Sequence, residues 1–168
     1  MNADYYNNLG NSLQTKGDLE SAILNYQMAI KIDPSFSSGY NNMGIAYMSL
    51  GQNQKALISI KKAIKINPDF MDAYYNVGLT YRSLKNYEKA IEAFEKVITI
   101  NPNHVQSFNN LGQIYMDLGD EEKAIFAFKE ALRVNPKYIN AHNSLGDIYK
   151  KQGKNQASTD EYQNFKNG

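Results

Sequence analysis

The sequence predicts an all-α fold, a stack of five helix-turn-helix hairpins, and three observations carry that prediction. The only prolines, Pro34, Pro68, Pro102 and Pro136, follow one another at 34-residue spacing, and a fixed period of that size marks an array of helical hairpins rather than one globular core. Within each period apolar residues recur twice at three- and four-residue spacing, as in Tyr40, Met43, Tyr47 and then Ala56, Leu57, Ile60, Ala63, Ile64; that is helical periodicity. Between the two runs stands Gly17, Gly51, Gly119 or Gly153, with Lys85 in the third unit, where a helix end favours a left-handed residue.

The elements follow in order, as one domain over residues 1–168 with units 3–36, 37–70, 71–104, 105–138 and 139–168. The first opens at Ala3, runs through Tyr6, Leu9 and Gly10, turns at Gly17, and restarts at Asp18, a good N-cap, toward Ala22 and Tyr26. Asp33-Pro34 ends it, because proline cannot continue a helix and drives the residue before it out of the α region. The second repeats the plan with Gly44, the weaker cap Gln52, Ala56 and Ile60, and closes at Asn67-Pro68. The third has Tyr74, Val77, Gly78 and Tyr81, then the cap Asn86, Ala90 and Phe94 before Asn101-Pro102; the fourth has Phe108, Leu111, Gly112 and Tyr115, then Asp120, Ala124 and Phe128 before Asn135-Pro136. In the fifth, Leu145, Gly146 and Tyr149 keep the pattern, whereas Ser158, Thr159, Asn164 and Lys166 replace apolar residues. Its second helix reads as the polar cap that the end of a stack requires. The column Gly10, Gly44, Gly78, Gly112, Gly146 is expected to face the small column Ala22, Ala56, Ala90, Ala124, Ser158, letting paired helices approach closely.

Composition narrows function. A chain 42% hydrophobic and 21% charged is globular rather than disordered. Its net charge of +1 with no basic block gives no footprint for nucleic acid and favours no acidic partner as a class. Without cysteine there is no disulfide framework, thiolate metal site or cysteine nucleophile. The repeat pattern begins almost at Met1, with no basic and apolar leader and no long apolar run, so a soluble, cytoplasmic chain with no membrane partner is expected.

The order aromatic, two residues, Leu-Gly, two residues, Tyr, then Ala, three residues, Phe or Tyr, and finally Pro resembles the tetratricopeptide repeat over essentially the whole chain. Leu13, Ile60, Val97 and His142 are its mild departures. The resemblance implies a right-handed superhelical solenoid whose concave wall is built from the first helices. One column there is Asn8, Asn42, Asn76, Asn110, Ser144, and its neighbour is Asn7, Asn41, Tyr75, Asn109, Asn143. Farther along lie Asn11, Ile45, Leu79, Gln113, Asp147 and then Gln14, Met48, Arg82, Met116, Lys150. An Asn amide is both donor and acceptor, so repeated amides can hold the backbone of an extended peptide whatever its side chains. The first column resembles the asparagine ladder of superhelical tetratricopeptide arrays such as that of O-linked N-acetylglucosamine transferase. Asn8, Asn42, Asn76 and Asn110, with Asn7, Asn41, Tyr75, Asn109, Asn143, Met48, Arg82 and Met116 beside them, are the expected peptide contacts. Substituting the ladder residues Asn8, Asn42, Asn76 and Asn110, which face the groove, is expected to matter little for folding. Relatives that clamp a C-terminal carboxylate use Lys, Asn, Asn, Lys, Arg; the matching Asn7, Asn11, Asn42, Asp72 and Asn76 lack every cation, so no chaperone-type acidic tail is expected.

Sites for chemistry are absent from the pattern. His104 lies in a linker and His142 in the aromatic column, where a packed core residue is the expectation; neither has a metal-ligand partner at helical spacing. The run from Gly146 to Lys154 lacks both the spacing and the Ser/Thr of a phosphate loop, and pairs such as Glu121-Glu122 or Glu92 and Glu95 fit a solvated face. The expected protein is a non-enzymatic scaffold without cofactor or metal that binds an extended segment of another protein. The alternatives are an assembly protein that self-associates through convex or terminal surfaces, and the targeting module of a larger enzyme.

Overall fold

The computed structural model describes residues 2–164; Met1, Lys166 and Gly168, which bound or cap the array in sequence, lie outside them. Ten helices and no strand occur among the described residues: α1 Ala3–Thr15, α2 Leu19–Ile32, α3 Ser37–Ser49, α4 Asn53–Ile66, α5 Met71–Ser83, α6 Tyr87–Ile100, α7 Val105–Asp117, α8 Glu121–Val134, α9 Ile139–Lys151 and α10 Asn155–Asn164.

Local chemistry makes the turns. After each first helix one residue takes positive φ: Gly17 (84°), Gly51 (70°), Gly119 (77°), Gly153 (73°) and, alone among the described non-glycines, Lys85 (56°). Around it the same two bonds recur, for example Gly17 N to Gln14 O and Asp18 N to Leu13 O, so the last free carbonyls are satisfied. Asp18, Asn86 and Asp120 then cap the second helices by accepting from Ser21, Lys89 and Lys123 N–H, whereas Gln52 makes no such bond. At the other end of each hairpin the Asx residue before proline accepts from the N–H two residues on, in Asp33 with Ser35, Asn67 with Asp69, Asn101 with Asn103 and Asn135 with Lys137. The break is thus an Asx-turn as well as a proline stop.

Packing divides the chain into two compact units, residues 1–93 and 94–168, with the boundary inside α6. In the first, α1 with α2 and α3 with α4 form hairpins, α2 packs on α3, and α4 on α5. Ala22, Tyr26 and Ala46 form a core there with Leu13, Met43 and Tyr47 around it. In the second, α7 with α8 and α9 with α10 pair, and α8 packs on α9 through Ala124, Phe128, Ala131, Ala141, Leu145 and Ile148.

The helix glycines differ from the sequence expectation in what they meet first. A Cβ at Gly10 would lie 2.6 Å from the Tyr26 ring, at Gly112 2.5 Å from Phe128, at Gly146 2.5 Å from Tyr162, and at Gly44 2.3 Å from Ile60. The column therefore makes room for a large side chain sixteen positions on, and only next to it does the small column approach, as in Ala56 O at 3.2 Å from that Cβ at Gly44. Where this large residue is tyrosine, its hydroxyl reaches a polar partner on the first helix: Tyr26 OH lies 2.8 Å from Asn11 Oδ1 and 2.9 Å from Gln14 Oε1, and Tyr162 donates to Asp147 Oδ1 at 2.7 Å.

Polar contacts also fasten α10. Ser158, buried, donates to Gly146 O at 2.9 Å. His142 is buried as the aromatic column requires, but it is more than a packed ring: Nδ1 lies 2.7 Å from Glu161 Oε2 and Nε2 2.8 Å from Pro136 O.

Candidate functional site

On α1, α3 and α5 the asparagines of the two adjacent columns bond to each other. Asn42 donates from Nδ2 to Asn7 Oδ1 at 2.9 Å and to Asn11 Oδ1 at 3.2 Å, and Asn76 donates to Asn41 Oδ1 at 3.0 Å. Each pair spans 35 residues and ties one first helix to the next, and the acceptors Asn7 and Asn41 are only 8% and 4% exposed. Asn42 and Asn76 are thus not free surface amides, and substituting them carries a folding cost that their groove-facing positions alone do not predict. A buried acceptor that loses its donor is left unsatisfied, which costs about 1–3 kcal/mol. Among the described residues each pair still leaves one NH2 (Asn7, Asn41) and one C=O (Asn42, Asn76) unused. Asn8 is exposed and makes no side-chain bond there.

In residues 94–168 the same positions are wired differently. Asn110, buried, turns Nδ2 back to its own helix at Gln106 O, 2.8 Å away. Position 144 is serine, too short to reach back as asparagine does, and Gln113 crosses to it instead, Nε2 to Ser144 Oγ at 2.8 Å. Asn109 Oδ1 is consequently buried with no hydrogen-bond partner. Asn143 is exposed on α9.

Of the remaining candidates, Tyr75 and Arg82 on α5 and Met48 on α3 are half-buried. Met116 packs against the core of its unit, so much of its side chain is already committed. The positions matching a carboxylate clamp bring together the amides of Asn7, Asn11 and Asn42, with Asp72 exposed on α5. The columns align at the 34-residue period, whereas the pairs join one column to the next at 35; asparagine recurs at both offsets, but that recurrence alone does not say which amides bond. No group of three His, Cys, Asp or Glu side chains that could hold a metal occurs among the described residues, nor any helix long and apolar enough to cross a membrane.

Profiles of the tetratricopeptide repeat match residues 37–70, 72–104 and 93–126, and a TPR repeat profile matches 10–51 and 112–153, which is half of the chain. No curated protein matches. Among solved structures, a crystal structure of MamA is 28% identical over 93% of this chain and 91% of that one, with a TM-score of 0.83. Pseudomonas aeruginosa pilF is 22% identical over 99% and 76%, at 0.89. YrrB, described as a TPR protein with an unusual peptide-binding site, is 20% identical over 95% and 82%, at 0.74. The last two are likenesses of fold. With its prolines, glycines and paired helices all keeping one period, the chain belongs to the tetratricopeptide repeat family.

Proposed function

We propose that this chain is a non-enzymatic interaction scaffold that holds an extended segment of another protein along the first-helix faces of its units. The observation that carries the reading is the set of amide pairs Asn7–Asn42 and Asn41–Asn76. Bonded to each other, the amides are fixed in orientation, and each pair offers one donor group and one acceptor. An extended peptide presents the same alternation along its backbone. Groups already held in place lose little freedom when a ligand arrives, so their bonds count more fully toward binding. The reading assigns Asn8, Tyr75, Met48 and Arg82 to the same peptide contact in residues 1–93, and Asn109, Asn110, Asn143 and Met116 to a counterpart in residues 94–168.

Affinity capture provides a partner segment, and chemistry on that segment tests the reading. Scrambling its side chains should change the dissociation constant less than methylating its backbone nitrogens, which should weaken binding about tenfold or more, since each lost bond removes roughly 0.5–1.5 kcal/mol. Equal affinity for the methylated and unmethylated segments would sink the backbone-binding idea. A second reading, self-association, draws on Leu24, Ile58 and Phe126, which stand 62%, 72% and 67% exposed on second helices. A concentration-independent monomer in sedimentation would remove it.

A further inference from the structure

The net charge of +1 averages over a helix that is far from neutral. α4 carries Lys55, Lys61, Lys62 and Lys65 without one Asp or Glu, and α3 before it has no charged residue. None of the four lysines makes an ion pair among the described residues. Two grooves flank this helix. One, of about 480 Å³, has Leu57, Ile58, Tyr81 and Leu84 as its apolar lining and Lys61 and Lys89 as its charges. Lys61 donates to Tyr81 OH at 2.7 Å, and the two ammonium groups stand 5.2 and 5.6 Å from the ring centroid. They are held there without a counter-charge. The other groove, of about 440 Å³, sets Lys61, Lys62 and Lys65 beside Tyr40, Met43 and Ile58. Ile58 and Lys61 line both, and no carboxylate lines either.

The fold makes such a groove without making it basic. Shifted back by 34 residues, the first groove reappears in the preceding unit, lined by Glu20, Ile23, Leu24, Gln27, Tyr47 and Lys55 among others, with a volume of about 300 Å³. That copy holds one acid and one base. The positive, roomier version is a property of these particular residues.

We propose that the α4 face docks an acidic, aliphatic or aromatic segment of a partner polypeptide, with its carboxylates on Lys61, Lys65 and Lys89 and its apolar side chains beside Ile58. Complementary charge would speed encounter and select the partner, while the apolar floor supplies burial. Nucleic acid fits less well. Stacking of bases needs an open aromatic face, whereas Tyr81 is only 9% exposed and already lies under two lysines. This surface lies on a second helix and involves none of the amide pairs, so it stands or falls separately from the first-helix reading.

Fluorescence anisotropy with the full chain tests it, using a short labelled peptide that repeats Glu-Leu-Asp-Phe, a counterpart with lysine for each acid, and a single-stranded DNA oligonucleotide of similar length. The acidic peptide should bind about tenfold or more tighter than the other two and weaken with salt. Lys61→Glu and Ile58→Asp should each weaken it about tenfold, whereas Lys129→Glu, the same charge change on α8, should leave it unchanged. Should Lys61→Glu lose helical content by circular dichroism, Lys65→Glu, at an exposed lysine, serves in its place. Equal effects of Lys61→Glu and Lys129→Glu would reduce the attraction to bulk charge and overturn the proposal. So would tighter binding of the oligonucleotide, or sedimentation showing a dimer that Ile58→Asp dissolves, since the occupant would then be nucleic acid or a second copy.

Discussion

Asn109 holds a carbonyl that nothing answers, and the reason lies 35 residues away. At that distance Asn42 and Asn76 reach back to Asn7 and Asn41, but Ser144 is too short. Ser144→Asn should supply the missing donor and stabilise the protein by about 1 kcal/mol, as a satisfied buried acceptor does; a lower urea midpoint than wild type would show the pairing rule to be wrong. The same rule separates two neighbours in one column. Asn42→Ala should cost about 1–3 kcal/mol by orphaning Asn7 Oδ1, while Asn8→Ala, at an exposed residue, should stay within about 0.5 kcal/mol, which thermal unfolding of the two variants can compare. Tyr26 supplies a titration. Burial pushes its phenol up from 10.0 to about 12, so above pH 10 the unfolded chain gives up a proton that the folded chain keeps. Its contribution is intact below pH 10 and is lost as pH rises through about 12, roughly 2–3 kcal/mol in all. Tyr26→Phe should be less stable near neutrality, having lost its contacts with Asn11 and Gln14, yet fall less between about pH 10 and 12. Parallel alkaline declines of variant and wild type in urea unfolding would refute it.

A turn in this chain is decided by two adjacent residues. The one with positive φ ends the first helix and the next caps the second, and because both jobs use bonds across three to five residues they are legible in sequence: Gly17-Asp18 and Gly119-Asp120 could be read directly. So could the Asx-Pro stops. The amide pairs could not, since nothing local distinguishes an asparagine that will bond across 35 residues from one facing water. The contacts of the helix glycines were half legible. Sequence periodicity indicated close approach at Gly44, but whether Ile60 or Ala56 comes nearest depends on how the two helices roll against each other. Lys85 is the turn residue whose Cβ opposes its own conformation, at φ 56°. Lys85→Gly should raise stability by about 0.5–1 kcal/mol, the relief of left-handed strain less the extra freedom glycine brings to the unfolded chain. An unchanged or lower melting temperature would mean that the lysine side chain contributes a contact that outweighs the strain.

At the scale of the molecule, a whole-chain sum hides where the charges stand. A net charge of +1 favours no acidic partner as a class, yet four lysines without a carboxylate share α4; a sum over the chain carries no information about which face the charges occupy. The period carried the opposite kind of information, since repetition reports how each hairpin packs on the next. In such arrays stability is close to a sum over hairpins and their interfaces. The interface between α8 and α9 buries Ala124, Phe128 and Ala131 against Ala141, Leu145 and Ile148, all of them fully buried. Removing residues 139–168 should therefore leave the preceding helices folded, with mean residue ellipticity by circular dichroism close to that of the full chain. It should also lower stability by several kcal/mol, because burial of Leu145 and Ile148 alone is worth roughly 1.5–3 kcal/mol each. The slope of the urea transition should shrink with the surface lost, and the uncovered Phe128 face should make the shortened chain less soluble. Collapse of the whole helical signal on truncation would instead identify a single cooperative globule, in which the last hairpin is required by all the others.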